Sequence, residues 1–562
     1  MWRIRLTALL LLAACASPTT TPVPTSISIS PTTLSFTAIG QTATVVATVK
    51  DQNGAMMGAR VEWMTTDETV ASISSEGPIS SITVTTVGAG TATIVASSNP
   101  VAVSAGVTVV QEAASLELSK DSLTFLTLGD TSRLTATVRD ENGNLVDDAP
   151  VTWSSSDDNT ATVSSAGLVT SVQGGVVTIT ATVGSVSATT SVRITVWSSV
   201  TAGLLHTCGM TTAGDAYCWG YNPTGQLGDG TTSDRAIPGL VTGGLTWQSL
   251  WASRSHHTCG VTTAGEAHCW GRNDYGQVGD NTTENRRVPT LVYGGYTWQS
   301  IFGAIYFTCG VTTSSEGYCW GRNNYGQLGD DHGGDIGRPQ HSVSGGYSWK
   351  SISAGEAFSC GVTTSVAILY EGYCWGYNFG GQLGIGFRSN GSVLTPTLVV
   401  GSHSWEVITA GQSHACGVTI TGEAYCWGSN GFGQVGDGTT EIRPSPTLVS
   451  GGHTWQSLSA GREHTCGVTN SSDAYCWGHG GNSRLGTGSP NVFTDHPTPN
   501  LVSGGHSWSM ISAGWPYTCG LTTSAEAYCW GDNTEGQIGN GTIILIHETP
   551  LATPTKVTRP WS

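Results

Sequence analysis

A repeat of about 50 residues, present seven times between residues 197 and 562, constrains this chain more than any other feature. Each copy contains Cys-Gly and then Cys-Trp-Gly, usually followed by Asn and by Gly-Gln-Leu-Gly or a close variant. The first cysteines of successive copies are 51, 50, 51, 56, 50 and 53 residues apart. The copies have strand-like content and no helical segment. A fixed period of this length with such content predicts a β-propeller or a solenoid.

The ends of the repeat region favour a closed ring. Most copies open with Trp-x-x-Ile/Leu/Val-x-Ala-Gly, and the first opener is at residues 197–203. The seventh copy runs to Val557 without a further opener. We therefore expect the N-terminal opener to complete the last blade, so that seven blades close without an exposed sheet edge.

The phrase Ala-Gly-x-x-His-x-Cys-Gly-Val-Thr…Tyr-Cys-Trp-Gly-x-Asn-x-x-Gly-Gln-Leu-Gly resembles the repeat of the regulator of chromosome condensation family. The resemblance covers residues 197–562 and implies a seven-bladed β-propeller. The fourth copy departs by an insertion at 366–369, and the sixth has 482–486 in place of Gly-Gln-Leu-Gly. A secreted bacterial β-lactamase inhibitor has the same type of propeller, which implies hydrolase inhibition as an alternative function. We do not expect the nucleotide-exchange activity of nuclear members, because an exported protein meets no small GTPase.

The region before the repeats contains two copies of a different β unit. Apolar residues alternate with Ser and Thr, which indicates strands, and each copy has an Asn-Gly hairpin signal. Each copy also has one tryptophan, Trp63 or Trp153, and we predict a β-sandwich with this side chain in its core. The pattern resembles the bacterial Ig-like group 2 domains of invasin- and intimin-type surface proteins. This resemblance implies spacer domains at 25–111 and 112–196.

An acidic pair in the second copy, Asp157-Asp158, follows the strand that contains the tryptophan. We interpret the pair as part of a turn, and a calcium ligand set is the alternative.

The N-terminus has the layout of a secretory signal, with two arginines, a short apolar run and Leu-Ala-Ala-Cys. The Leu-Ala-Ala-Cys motif resembles a lipobox, which implies a signal peptide at 1–14, lipidation of Cys15 and a tether that ends at residue 24. Cleavage after Ala16 by an ordinary signal peptidase is the alternative. Removal of the two arginines would change the net charge from −17 to −19, so we expect the lipid alone to attach the protein to a membrane. The predicted location is the bacterial outer membrane or cell surface.

Composition excludes two classes of protein. Only 11% of the residues are charged and 20 are Trp, which argues against a disordered chain. The chain has 22 Lys and Arg against 39 Asp and Glu, so it lacks the basic surface of a nucleic-acid-binding protein.

Fourteen of the 15 cysteines form one pair per repeat. Pairing of strands about a turn such as Ala213 would place the two cysteines opposite each other, within the range that a disulfide accepts. We predict seven disulfides, with free buried thiols or zinc ligation as alternatives. The predicted pairs are Cys208–Cys218, Cys259–Cys269, Cys309–Cys319, Cys360–Cys374, Cys416–Cys426, Cys466–Cys476 and Cys519–Cys529.

Several sequence features mimic functional sites. The residue two positions before each first cysteine is His, Phe or Tyr, and because Phe cannot bind a metal we predict a packing role. Residues 431–436 satisfy G-x-G-x-x-G, but a strand repeat follows where a dinucleotide site needs a helix. We find no catalytic constellation, cofactor site or metal site, and we do not expect an enzyme.

Function should lie where the repeats differ. The dipeptide before the His or aromatic position varies, as does the residue after Trp-Gly, and Tyr, Trp and Arg among them are typical of interface hot spots. We predict an exported, lipid-anchored surface protein whose propeller binds a protein or glycan, unless these are ordinary loop residues. The candidate partner-binding residues are Leu205, His256, Tyr306, Glu356, Gln412, Arg462, Trp515, Tyr221, Arg272, Arg322 and Tyr377.

Overall fold

Strands make up nearly all the regular structure, as the short alternating segments of the sequence predict. The structure is a computed structural model that describes residues 21–74, 80–364, 369–489, 494–545 and 549–559. Across these ranges it contains 44 strands and a single 3₁₀ turn at Gly481–Ser483, without an α-helix. Cys15, the predicted lipidation site, lies outside the described residues. The chain forms two compact units, the first containing most of the residues before Arg193 and the second the chain from Arg193 onward together with Thr124–Asp130 and Ser171–Val176.

Two four-stranded sheets form the first sandwich. Fully buried residues of one sheet, Val45 and Val84, share a hydrophobic core with Ile94 and Val107 of the other. Trp63 is only partly buried and packs against this core. In spatial order, one sheet contains Pro24–Ser30, Thr42–Asp51, Ser81–Thr86 and Ala71–Ser74, and the other Thr33–Phe36, Val101–Val109, Gly90–Ser98 and Glu62–Thr65.

The second copy is also built from strands, around buried residues such as Val169, Ile179 and Val192. Trp153 is partly buried. Asp157 forms the predicted turn, since its carboxylate accepts from Asn159 N at 3.1 Å and Thr160 Oγ1 at 2.6 Å. The strands of this copy form three sheets. In spatial order, the first contains Ser122–Phe125, Val186–Ile194, Gly175–Val183 and Thr152–Ser155. The second contains, again in spatial order, Thr131–Arg133, Leu168–Ser171 and Ala161–Val163, and the third contains Ala136–Arg139 and Ser115–Leu118.

The repeats form seven antiparallel blades, and each first strand contacts the first strands of the neighbouring blades. Blade 1 contains the strands Trp197–Ala202, His206–Thr211, Ala216–Gly220 and Arg235–Leu240, and blade 2 contains Trp247–Ala252, His257–Thr262, Ala267–Gly271 and Arg286–Leu291. Blade 3 contains Trp298–Gly303, Phe307–Thr312 and Gly317–Gly321, blade 4 contains Trp349–Ala354, Phe358–Thr363, Gly372–Gly376 and Val393–Leu398, and blade 5 contains Trp405–Ala410, His414–Thr419, Ala424–Gly428 and Arg443–Leu448. Blade 6 contains Trp455–Ala460, His464–Thr469, Ala474–Gly478 and His496–Leu501, and blade 7 contains Trp508–Ala513, Tyr517–Thr522, Ala527–Gly531 and Leu551–Lys556. The third blade has isolated bridges at Ser342 and Ile336 in place of a fourth strand.

The predicted ring is closed, but the predicted mode of closure is wrong. The opener Trp197–Ala202 pairs with the next strand of its own blade, and Leu551–Lys556 completes the seventh blade. The reason is the tight turn after the opener, which makes hairpin pairing with the adjacent strand the local solution. Blades 1 and 7 instead meet by side-chain and turn contacts, such as Ala202 N donating to Ser512 Oγ at 2.9 Å.

The seven predicted cysteine pairs form disulfides. In blade 1, Cys208 and Cys218 are directly opposed on adjacent strands, with Cα atoms 4.1 Å apart. All fourteen cysteines are at most 2% exposed, so each bond lies inside its blade.

A repeated contact between neighbouring blades explains the Cys-Trp-Gly and Gly-Gln-Leu-Gly phrases. The Trp270 indole donates from Nε1 to Gln226 O of blade 1 at 2.9 Å, and Thr258 Oγ1 donates to the same carbonyl at 2.8 Å. Blade 6 keeps this contact despite its departure, because Arg484 O accepts from Trp530 Nε1 at 3.0 Å. The backbone carbonyl makes the bond, so the side chain at that position is free to vary.

Candidate binding face of the propeller

The turns that join the first and second strands lie next to one another at one end of the ring. In blade 1, Gly203 N donates to His206 O at 2.9 Å and closes the turn. Adjacent turns are also bonded, because Leu204 N donates to Ser253 O at 3.2 Å and Trp515 N to Gly203 O at 3.3 Å. The variable dipeptides of the sequence therefore stand side by side around the axis of the ring.

The His, Phe or Tyr two residues before each first cysteine lies inside the ring wall. All seven side chains are 0% exposed. His414 donates from Nε2 to Thr465 Oγ1 of the next blade at 2.9 Å, since the Thr465 hydroxyl hydrogen is donated to Gln434 O at 2.8 Å. Burial lowers the pKa of His414 to about 3, so the His414 imidazole is neutral at physiological pH. These contacts confirm the predicted packing role.

A first cavity, of about 220 Å³, lies where the seven turns converge. Seven of the eleven candidate residues contribute to its lining. Its lining residues are Leu204, Arg254, Ser255, His256, Arg272, Ile305, Tyr306, Glu356, Gln412, Arg462 and Trp515.

A second cavity, also of about 220 Å³, adjoins the first and shares Tyr306, Glu356 and Gln412 with it. Two further candidates, Arg322 and Tyr377, line this second cavity. The two cavities together bring nine of the eleven candidates onto one surface, which we call the axial face.

The other two candidates lie outside both cavities. Leu204 lines the first cavity in blade 1, whereas Leu205 does not. The side chain of Tyr221 packs against the His256 ring, with centroids 5.4 Å apart. Tyr221 therefore contacts a residue of the axial face without lining either cavity.

A chain of contacts links four successive blades across the first cavity. Gln412 Nε2 donates to Glu356 Oε2 at 2.7 Å, and Arg462 Nε donates to Gln412 Oε1 at 2.7 Å. The Arg462 guanidinium carbon lies 3.7 Å from the Trp515 ring centroid, where the quadrupole of the indole attracts a cation. The four side chains hold one another in fixed orientations.

Tyr306 is the centre of a second group on the axial face. The guanidinium carbons of Arg272 and Arg322 lie 5.3 and 5.4 Å from its ring centroid, and the Tyr275 ring is 5.2 Å away. Arg272 also pairs with Asp274 at 2.5 Å. Aromatic and arginine side chains account for six of the eleven lining residues of the first cavity and four of the ten of the second.

Arg254 lines the first cavity and is absent from the sequence-derived candidates. It extends from blade 2 across the ring, donating through its two terminal nitrogens to Ala410 O of blade 5 and Ala460 O of blade 6. It is 8% exposed, and burial lowers its pKa to about 10, so it remains charged at neutral pH.

A small irregularity in the repeat could have revealed Arg254. His257 is ten positions after Trp247, whereas His206 is nine positions after Trp197, and the corresponding residues of the other blades are also nine positions apart. The turn of blade 2 is therefore one residue longer, and Arg254 lies within it.

Comparison with known families agrees with the fold. The bacterial Ig-like domain (group 2) profile matches residues 112–194. Two profiles describe the regulator of chromosome condensation (RCC1) repeat. The first matches residues 213–259, 264–314, 317–362 and 421–468, and the second matches residues 197–226, 407–434, 455–484 and 511–537. The fold and these matches define a disulfide-bonded β-propeller protein with a preceding Ig-like domain. Its propeller is built from RCC1 repeats.

The chain is similar to curated proteins over its propeller region. It is 31% identical over 348 residues to the ultraviolet-B receptor UVR8 of Arabidopsis thaliana, covering 61% of this chain and 55% of the receptor. It is 28% identical over 251 residues to the human E3 ubiquitin-protein ligase HERC2, covering 43% of this chain and 5% of the ligase. The match thus spans about half of the receptor and a small part of the ligase.

Solved structures support the same fold. Prp20p from Saccharomyces cerevisiae has a TM-score of 0.55 at 20% identity, covering 65% of this chain and 88% of that chain. Human WBSCR16 has a TM-score of 0.54 at 18% identity, covering 62% of this chain and 94% of that chain.

The Ig-like domain and the seven disulfides indicate an extracellular protein. Within the described ranges, we find no helix with the length and apolar character needed to cross a bilayer.

Proposed function

We propose that this chain is an exported surface protein whose axial face binds a partner protein. The observation that carries the proposal is the convergence of nine repeat-variable residues on two adjoining cavities. Residues that keep a repeat folded recur from blade to blade, whereas these residues differ between blades, and their contacts with one another are not the recurring tryptophan-to-carbonyl bond. Tyr, Trp and Arg, which dominate interface hot spots, are prominent among them.

The relatives favour a protein as the partner. Yeast RCC1 (Prp20) has been solved with Kap60 bound to it, and Prp20p also has binding properties to Gsp1p and histones. These properties belong to the yeast protein, and they support the use of such a propeller as a protein-binding platform. We assign the axial face to binding rather than to catalysis.

We also propose the arrangement that presents this face. Residues 1–14 would be removed as a signal peptide, Cys15 would carry lipid, and residues up to 24 would form a tether. The domains at 25–111 and 112–196 would act as spacers between the membrane and the propeller at 197–562.

Affinity capture from surface extracts with three baits tests the binding proposal. The baits are the wild-type chain, a Y306A/R462A/W515A variant, and a control variant, L240A/L291A/L448A, with changes at exposed positions of fourth strands. We expect one protein, identified by mass spectrometry, to be retained by the wild type and the control and lost by the axial-face variant. Retention of the same proteins by all three baits would refute the assignment.

A further inference from the structure

The first cavity contains a buried cation without an acidic partner. Arg254 is 8% exposed, and across the described residues no carboxylate lies within ion-pair distance of it. Its two carbonyl partners are neutral, and its buried Nε–H has no acceptor among the residues that the structure describes. A buried charge that is not matched by an opposite charge is costly.

The other charges of the lining do not remove this imbalance. Of the three arginines in the lining, Arg272 pairs with Asp274 at 2.5 Å and Arg462 lies 4.0 Å from Glu463, so within the described residues Arg254 alone has no acidic partner. The Glu356 carboxylate accepts from the Gln412 amide rather than from a guanidinium. The charge of the first cavity that no acidic group compensates is therefore that of Arg254.

We propose that the first cavity is a carboxylate-binding site, which receives an Asp or Glu side chain from the partner protein beside Arg254. This inference rests on the proposed function and adds the chemistry of the group recognised. An inserted carboxylate would supply the missing negative charge close to the Arg254 guanidinium. Charge-assisted hydrogen bonds from arginine to carboxylate are among the strongest in proteins.

The size and the aromatic side chains of the cavity favour a polypeptide source. A volume of about 220 Å³ is below that of pockets for drug-sized ligands, which begin at about 300 Å³, and it suits a single side chain. A sugar ring would need an open aromatic face for stacking. Here Arg462 covers a face of Trp515, and Arg272 lies against Tyr306.

Calorimetric titration of the 562-residue chain with small probes tests this proposal. The probes are glutamate blocked at both ends as N-acetyl and N-methylamide, the equally blocked glutamine, and glucuronate. We expect the wild type to bind blocked glutamate at least tenfold more tightly than blocked glutamine, which has the same shape without the charge. Equal binding of the two blocked amino acids, or binding of neither, would overturn the proposal.

Two variants assign the effect to the cavity. R254M should weaken the binding of blocked glutamate at least tenfold, whereas R235M, at an arginine paired with Asp229 outside the cavity, should leave it unchanged. If R254M does not fold, E356Q provides the test, because removal of the only acidic group of the lining should strengthen binding of blocked glutamate several-fold and leave blocked glutamine unaffected. Wild-type affinity in R254M, or unchanged affinity in E356Q, would count against the site.

Glucuronate distinguishes the source of the carboxylate. Tighter binding of glucuronate than of blocked glutamate would overturn the polypeptide source. The outcome of the capture experiment does not depend on the outcome of these titrations. Loss of capture by Y306A/R462A/W515A together with equal binding of the blocked amino acids would retain the binding face and refute only the carboxylate site.

Discussion

The indole Nε1 of Trp219 in the first blade donates to the backbone carbonyl of Gln537 in the seventh blade at 2.9 Å. The same carbonyl accepts from Thr207 Oγ1 at 2.7 Å. These two bonds correspond to the bonds that Trp270 Nε1 and Thr258 Oγ1 donate to Gln226 O between blades 1 and 2. The ends of the repeat region are therefore joined by the same tryptophan-to-carbonyl bond that joins every other pair of neighbouring blades.

Gly539 is predicted to be essential for this closure. A Cβ at Gly539, which has a φ of +79°, would overlap the Trp219 indole. Gly505 has a φ of +67° and open space around its Cα, so G505A isolates the backbone strain of about 1 kcal/mol. We expect G539A to destabilise the propeller by roughly 1–3 kcal/mol more than G505A does, because overpacking is added to strain. Chemical unfolding followed by tryptophan fluorescence measures the difference, and equal midpoints for the two variants would contradict the prediction.

The buried histidines predict acid sensitivity. His206, His257 and His414 have pKa values lowered to about 3 by burial, from 6.5. Below pH 6.5 the unfolded chain binds protons that the native chain does not, so stability falls as pH decreases from about 6.5 towards 3. Each such histidine should cost about 2 kcal/mol between pH 7 and pH 5.

The variant H414F tests this origin of the acid sensitivity. Phe occupies the equivalent position in blades 3 and 4, as Phe307 and Phe358, so the ring wall accepts it. The variant loses one bond to Thr465 but no longer titrates. We expect a smaller decrease in melting temperature between pH 7 and pH 5 than in the wild type, and an identical decrease would exclude His414 as a source.

The disulfides predict a specific alkylation pattern. In denatured but unreduced protein, iodoacetamide should label none of the fourteen blade cysteines, and after reduction it should label all of them by mass spectrometry. The double variant C208A/C218A should lose about 3 kcal/mol of stability, because its 11-residue loop is no longer constrained in the unfolded chain. Labelling of most blade cysteines before reduction would contradict this pattern.

Asp140 is predicted to strengthen the contact between the two β units that precede the propeller. It is 2% exposed, and its Oδ2 accepts from Ile39 N at 2.9 Å, while its Oδ1 accepts from Asn144 N in its own turn. Asp51 occupies the corresponding turn of the first copy, where its Oδ1 accepts from Ala55 N. D140A thus removes the bonds from Ile39 N and Gln111 Nε2 as well as the turn bond, whereas D51A removes the turn bond. Asn142 and Asn144 still donate to Ile39 O in D140A, so the contact between the copies is weakened and not abolished.

Limited digestion with a glutamate-specific protease distinguishes the two variants. Glu112 is an exposed residue between the copies, and its amide is bonded to Thr37 O at 2.8 Å. We expect faster cleavage after Glu112 in D140A than in D51A, since loss of the bonds from Ile39 N and Gln111 Nε2 to Asp140 loosens this segment. Equal rates in the two variants would show that Asp140 acts only within its turn.

The sequence alone determined the blade number, the cysteine pairs and the location of the variable turns. These features are local. A repeat of this period fixes one blade, and a short turn places Cys208 opposite Cys218 whatever the rest of the chain does. The packing role of the ring-wall histidines was also predictable, because Phe307 and Phe358 replace them.

The tertiary structure decided which turn residue reaches the axis and how the ring closes. Leu204 rather than Leu205 lines the first cavity, because the shape of each turn and its bond to the neighbouring turn set the direction of its side chains. The opener stays in its own blade because hairpin pairing is available locally, while closure uses contacts between residues more than 300 positions apart. The role of Arg254 depends on carbonyls of blades 5 and 6, which only the closed ring brings within its reach.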